Sequence, residues 1–227
     1  MDSYREFLDT SAKDVTVRGF LHRPSGSPMD GLILTHGAGA NCDAPLLRAL
    51  ADAFCASGLT VLRCDLPFRQ SRPHGPPPRG SAEQDQRGLR AAVASMRQQV
   101  TGRVFLGGHS YGGRQASMLA AAEPGLVEAL LLLSYPLHPP KRRDELRTGH
   151  FPQLQTPVLF VHGSRDGFGT LAEMEAALAL IPARKELLAI PSAGHELMTK
   201  ANRDELPAIV AAGFRAFAAP NRKLGRQ

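Results

Sequence analysis

Short apolar runs recur along the chain, and each is separated from the next by a longer segment whose apolar positions are spaced as on one face of a helix. This alternation is the strongest constraint on the fold. Residues 32–34, 60–62, 104–106, 129–133, 158–161 and 187–190 read as short buried strands. Between them, Asp43-Ala44-Pro45 starts a helix with Leu46, Leu47, Leu50 and Phe54 on its inner face, closed by Gly58. Ser81-x-x-Gln84 reads as a capping box opening a helix with Leu89, Val93 and Met96 inward, and another helix runs from Tyr111 to about Ala122. Thr170-x-x-Glu173 is a second capping box, and Leu206, Ile209, Val210, Phe214 and Phe217 stripe a final helix. Strands buried on both faces and alternating with helices predict an α/β fold: a mostly parallel sheet with helices on both faces. Apolar and polar residues alternate over 15–21, which predicts an antiparallel edge strand, followed by a turn at 24–28. Residues 67–80, PFRQSRPHGPPPRG, are too Pro-rich for a regular element, and 136–156 is a second long loop. One domain over 1–219 is expected, with a flexible tail at 220–227.

Composition narrows the functional classes. A hydrophobic fraction of 43% across 227 residues fits a folded domain rather than a disordered chain. The formal charge of +6 carries no basic helix with interleaved aromatics, so it reads as solvated surface, with no nucleic acid expected. No apolar run approaches the ~18 residues of a spanning helix, and the first residues lack the apolar core of a signal peptide. Cys42, Cys55 and Cys64 form no C-x-x-C pair, and their odd number argues against a disulfide framework. A cytoplasmic protein without a membrane role is expected; the sequence does not determine its oligomeric state.

The chemistry concentrates after the 104–106 strand, where the chain reads Gly107-Gly108-His109-Ser110-Tyr111-Gly112-Gly113 and turns helical. A serine raised on a strained strand-to-helix turn needs neighbours without Cβ atoms where strand and helix meet, which G-x-S-x-G supplies. Such a nucleophile needs a base and an acid, expected in the order acid then histidine on the loops after later strands. Asp166 follows the 158–161 strand, and His195, in Ser192-Ala193-Gly194-His195, follows the 187–190 strand. Asp166 would orient the imidazole, and His195 would move the proton. Backbone donors for an oxyanion are expected from Tyr111 N–H and Ala38 N–H, the latter in the small-residue loop Thr35-His36-Gly37-Ala38-Gly39-Ala40-Asn41. His36 reads as a loop organiser, and His109 and His162 as packing residues. Glu196 is set aside as the acid because it adjoins His195, and His22, His138 and His150 are expected at the surface. Arg69, Arg72, His74 and Arg79 lie on the loop after a strand's carboxyl end, a rim where an anionic group of a substrate would sit.

Two other readings compete. Gly37-Ala38-Gly39-x-x-Cys42 with Asp65 resembles a dinucleotide fingerprint, but Cys42 replaces the third glycine and His36 intrudes before the first. Asp65 is then a strand-end carboxylate that anchors a loop. The basic Pro-rich loops, including Lys141 to Arg143, suit a non-catalytic interaction module, whereas a complete serine, acid and histidine set argues for catalysis.

Thr-His-Gly-Ala-Gly, Gly-His-Ser-Tyr-Gly-Gly, Asp166 and Gly-His195 in that order resemble a small α/β-hydrolase without a large cap domain, across about 15–218. His-Gly-Ala-Gly-Ala-Asn, Pro67-Phe68-Arg69 and Gly75-Pro76-Pro77-Pro78 are similar to the branch containing dienelactone-hydrolase-like proteins and the hydrolase-like domain of NSL complex subunit 3. Dienelactone hydrolases proper use a cysteine where this chain has Ser110, which points away from their substrate. The resemblance implies a serine hydrolase without metal or cofactor, acting on a small-molecule ester or thioester with a small or exposed acyl group.

Overall fold

In the computed structural model, which describes residues 4–26 and 29–220, eight strands form one sheet. The strands are β1 (Tyr4–Asp9), β2 (Val17–His22), β3 (Gly31–Thr35), β4 (Thr60–Cys64), β5 (Val104–His109), β6 (Ala129–Leu133), β7 (Val158–Gly163) and β8 (Lys185–Ile190). Their order is β1-β2-β4-β3-β5-β6-β7-β8, with β1/β2 and β2/β4 antiparallel and every later pairing parallel. The helices are α1 (Pro45–Ala56), α2 (Pro67–Ser71), α3 (Ala82–Arg97), α4 (Tyr111–Ala122), α5 (Leu171–Leu178) and α6 (Leu206–Ala218).

The pleat divides the core. On one face Ile33, Leu62, Leu106, Leu130 and Leu132 meet Leu89, Val93 and Met96 of α3, Leu119 of α4 and Met174 of α5. On the other, Leu32, Leu34, Val61, Phe105, Leu131 and Leu133 meet Leu47, Leu50 and Phe54 of α1 and Val210 and Phe214 of α6. Alternate residues of one strand thus serve opposite cores, which is why the central strands are apolar throughout. Phe214 packs edge-on against both Phe54 and Phe105, joining α1 to α6 over the sheet. No helix among the described residues is long and apolar enough to cross a membrane.

Several local expectations change. The antiparallel strand is present as β2, but the true edge is β1, whose mixed exposure gives no clean alternation to read. The Pro-rich 67–80 segment begins with the short helix α2, because Pro67 occupies its first turn, where the missing N–H has no intrahelical role. Ser81 does not form a capping box with Gln84: its hydroxyl donates to Asp85 at 3.3 Å instead. The Thr170/Glu173 box is present on both sides. Ile209 is 46% exposed, off the buried stripe of α6. Within the 136–156 loop, Phe151–Gln153 forms one 3-10 turn. Residues 27 and 28 of the expected turn, and 221–227 of the expected tail, lie outside the described residues.

His22 is fully buried rather than on the surface. It accepts the Arg63 Nε–H at 2.9 Å, while the Arg63 guanidinium lies over the rings of Tyr4 and Phe20. Burial, reinforced by Arg63, holds the His22 pKa down at about 4. His138 is 5% exposed, and its Nδ1–H donates to Glu145 O. His150 bonds the Ser117 hydroxyl at 2.8 Å, with its pKa lowered to about 4 by burial and by the Arg114 charge.

Candidate functional site

Ser110 stands between β5 and α4 with φ 50° and ψ −113°, a conformation that non-glycine residues rarely adopt. The glycines around it make the turn possible. A Cβ on Gly108 would lie 2.6 Å from Gly113 N, one on Gly112 would lie 2.5 Å from His36 O, and one on Gly107 would lie 2.7 Å from Leu131 O. Strand, helix and neighbouring loop therefore pack backbone to backbone. The Ser110 N–H donates to Leu133 O at 2.8 Å, tying the strained residue to the end of β6.

The sheet brings Asp166 and His195 to that serine. His195 Nδ1 lies 2.9 and 3.1 Å from the two Asp166 carboxylate oxygens, and His195 Nε2 lies 2.8 Å from Ser110 Oγ. With Nδ1–H donated to the carboxylate, Nε2 is left to accept the serine hydroxyl proton. Asp166 also accepts the Phe168 N–H at 2.8 Å. Burial raises its pKa, but the hydrogen bonds from His195 and Phe168 and the neighbouring imidazoles outweigh that, leaving it below the usual 3.8. The two loops are interlocked: a Cβ on Gly163 would collide with the carbonyls of Ala193 and Gly194, and Arg165 N–H donates to Ala193 O at 2.9 Å. The Phe168 ring packs 4.4 Å from the His195 ring, and His109 Nε2–H donates to the His195 carbonyl at 2.9 Å. His162 is fully buried and bonds Gly169 O. His109 and His162 thus support the loops, as expected from sequence.

The loop after β3 lies beside the serine, since a Cβ on Gly37 would sit 3.5 Å from Ser110 Cβ and 3.1 Å from His109 Nδ1. Ala38 follows Gly37, and Ala38 N–H has no acceptor among the described residues. Tyr111 is the first residue of α4, where a backbone N–H has no intrahelical partner. His36 is buried, and burial holds its pKa below 6.5. Its Nδ1–H donates to Gly37 O at 2.8 Å, and its Nε2 accepts Leu66 N–H at 3.1 Å. Asp65 accepts Cys42 N–H at 2.8 Å and pairs with Arg18, so it anchors the far end of the same loop. The Cys42 thiol, pushed up to about 12 chiefly by burial, is far from the range of a reactive thiolate.

Arg72 and His74 are exposed on the segment after α2. Arg69 is not: it is 4% exposed, and its guanidinium donates to the carbonyls of Ala38, Ala40, Arg72 and Gly75. Those bonds occupy the donors an anion would need, which corrects its assignment to a substrate-facing rim.

Sequence reasoning missed Asp85. This fully buried carboxylate accepts the Tyr111 hydroxyl at 2.7 Å and Phe68 N–H at 3.0 Å, linking α3, α4 and α2. Burial raises its pKa against those hydrogen bonds. The available signal was a carboxylate in line with Leu89 and Met96 on an apolar stripe. A cavity of about 180 Å³ lies behind the loop, lined by Gly37, Ala40, Leu46, Leu47, Glu196 and Met198 among others.

Residues 28–211 match the family described as an alpha/beta hydrolase domain. Among solved structures, the chain is similar to a dienelactone hydrolase from Anabaena variabilis, at 23% identity over 94% of this chain and 98% of that one, with a TM-score of 0.73. It is also similar to the esterase domain of a Rhodothermus marinus protein, at 15% identity over 95% and 99%, with a TM-score of 0.69. A third similar structure is an α/β serine hydrolase without a lid from Xanthomonas campestris, at 16% identity over 97% of each chain, with a TM-score of 0.69.

Proposed function

The chain belongs to the α/β-hydrolase domain family, and from that premise we propose that it is a serine hydrolase cleaving a carboxylic ester or thioester through an acyl-enzyme. The observation that carries this reading is the unbroken hydrogen-bonded line from Ser110 Oγ through His195 to the Asp166 carboxylate.

Ser110 Oγ attacks the substrate carbonyl carbon as its proton passes to His195 Nε2, and the imidazolium is stabilised by Asp166. The carbonyl oxygen becomes an oxyanion and accepts Ala38 N–H and Tyr111 N–H. Collapse breaks the bond to the leaving alkoxide or thiolate, which takes the proton from His195, and Ser110 is left acylated. Water then attacks the acyl carbon with His195 again as base, releasing the carboxylic acid and restoring the serine. The connection from β6 to β7 holds a single 3-10 turn and no cap-sized insertion among the described residues, which supports an open site and a short or exposed acyl group.

A ladder of p-nitrophenyl esters from acetyl to longer chains, run on the wild type and on Ser110→Ala, tests the assignment. The expected outcome is highest kcat/KM on the shortest esters, a loss of roughly 10⁴-fold or more in the variant, and an unchanged Tm. Equal hydrolysis by both proteins would refute the role of Ser110. Absence of turnover together with no fluorophosphonate labelling of Ser110 would return the chain to the class of interaction modules.

A further inference from the structure

Arg69 is a buried cation whose site contains no ion-pair partner among the described residues. Buried charges are ordinarily paired, because an isolated one is costly to desolvate. Here four backbone carbonyls take the place of a carboxylate: Nε donates to Ala40 O at 2.7 Å, one terminal nitrogen to Ala38 O at 2.7 Å and Gly75 O at 2.9 Å, and the other to Arg72 O at 2.9 Å. Four of the five guanidinium N–H groups are therefore engaged, and two of them grip the loop that carries the expected oxyanion donor.

A trans amide points its N–H opposite its C=O. His36 Nδ1–H and Ala40 N–H both donate to Gly37 O, so the peptide joining Gly37 to Ala38 is held by its carbonyl and Ala38 N–H faces the other way. Arg69 holds the next carbonyl, that of Ala38 itself. Both peptides around Ala38 are thus fixed by side-chain donors. Arg69 is in turn placed by α2, whose Phe68 N–H donates to Asp85, the carboxylate that also accepts the Tyr111 hydroxyl. The residues bearing the two expected oxyanion donors are joined by one line: Tyr111, Asp85, Phe68, Arg69, Ala38.

We propose that Arg69 is a positioning residue for the oxyanion hole: by gripping the Ala38 and Ala40 carbonyls it holds the loop in the turn from which Ala38 N–H is presented to the developing oxyanion, and its positive charge, unpaired with a carboxylate, favours that anion. This rests on the serine hydrolase reading given above. Donors fixed in advance need no reorganisation when charge develops, so the contribution is felt in the transition state and little in ground-state binding.

Arg69→Gln and Arg69→Lys test it, with wild type, Ser110→Ala and both variants first titrated by a fluorophosphonate, so that rates refer to sites that react. On p-nitrophenyl acetate, Arg69→Gln is expected to lose ten- to a hundredfold in kcat per titrated site with KM within about twofold. Arg69→Lys, which keeps the charge but not the fork, recovers part of it. The Ki of a trifluoromethyl ketone, whose adduct with Ser110 carries the oxyanion, is expected to rise in proportion to the loss in kcat/KM. A merely structural arginine gives a different pattern: lower Tm and fewer titratable sites, but unchanged kcat per site and unchanged Ki. That pattern, or a change confined to KM, overturns the proposal while leaving the hydrolase reading intact. A wild type that neither labels at Ser110 nor turns over ester overturns both.

Discussion

The two sides of the site are built by different physics. Around Ser110, position is imposed by space: β5 approaches β6 at Gly107 and α4 at Gly108, and α4 approaches the loop after β3 at Gly112, so closely that none of the three leaves room for a Cβ. Around Asp166 and His195, position is imposed mainly by polar ties: two carboxylate contacts to the imidazole, the Phe168 N–H and the His109 bond to the His195 carbonyl. Gly163 brings the backbone-to-backbone kind of constraint to that side as well. Ser110 is thus held by packing, whereas His195 is held by groups whose charge and tautomer matter.

Substitutions that strike one mechanism and spare the other break the comparison. Asp166→Asn removes charge but little volume; kcat is expected to fall roughly 10³- to 10⁴-fold with the fold retained, because the amide no longer fixes the His195 tautomer. Steady-state kinetics beside circular dichroism check this, and a loss under tenfold would mean the imidazole is oriented by other contacts. Gly108→Ala attacks the steric side. It is expected to destabilise the protein by about 1–3 kcal/mol or more in urea unfolding and to lose activity together with stability.

Tyr111→Phe keeps the backbone donor but cuts its tie to Asp85, so a loss of roughly three- to tenfold in kcat is expected, corresponding to about one hydrogen bond. His150 and His22 sharpen the contrast through pH. Each has its folded pKa depressed from 6.5 to about 4, so the unfolded chain binds more protons between those values. The stability they contribute is complete above 6.5 and declines as pH falls towards 4. In His150→Gln the fall of Tm over that window is expected to be shallower, by thermal melts at several pH values. Gly167→Ala, in the loop beside Asp166 where an added Cβ meets nothing within 4 Å, is expected to change stability by less than about 0.5 kcal/mol.

The same division explains what could be read in the sequence. Glycines required by close approach leave a local signature, so the strand, Ser110 and α4 were legible together, and α4 begins at Tyr111 as expected. Asp166 and His195 were legible from chain order, since the loops at one end of a parallel sheet converge. Contacts between distant segments left weaker marks. β1 is held by pairing with β2 rather than by a pattern of its own, and α2 was hidden by the prolines downstream of its first turn. Arg69 looked like surface charge because arginine carries no mark of whether its partners are water or carbonyls. His22 misled for the same reason: burial holds its pKa down, and a neutral imidazole with a hydrogen-bond partner packs into a core that a charged one would avoid.

Ser110 and His195 also differ in when they arrive. Ser110, its turn and both expected oxyanion donors precede α4 or open it, whereas His195 follows β8, which among the described residues pairs with β7 alone at the far edge of the sheet. As the chain emerges from the ribosome, β3, β4 and β5 can assemble around Ser110 well before His195 has been made. On the serine hydrolase reading proposed above, a nascent chain would then carry Ser110 in its turn without the imidazole that activates it, and reactivity would wait for the last strand to dock.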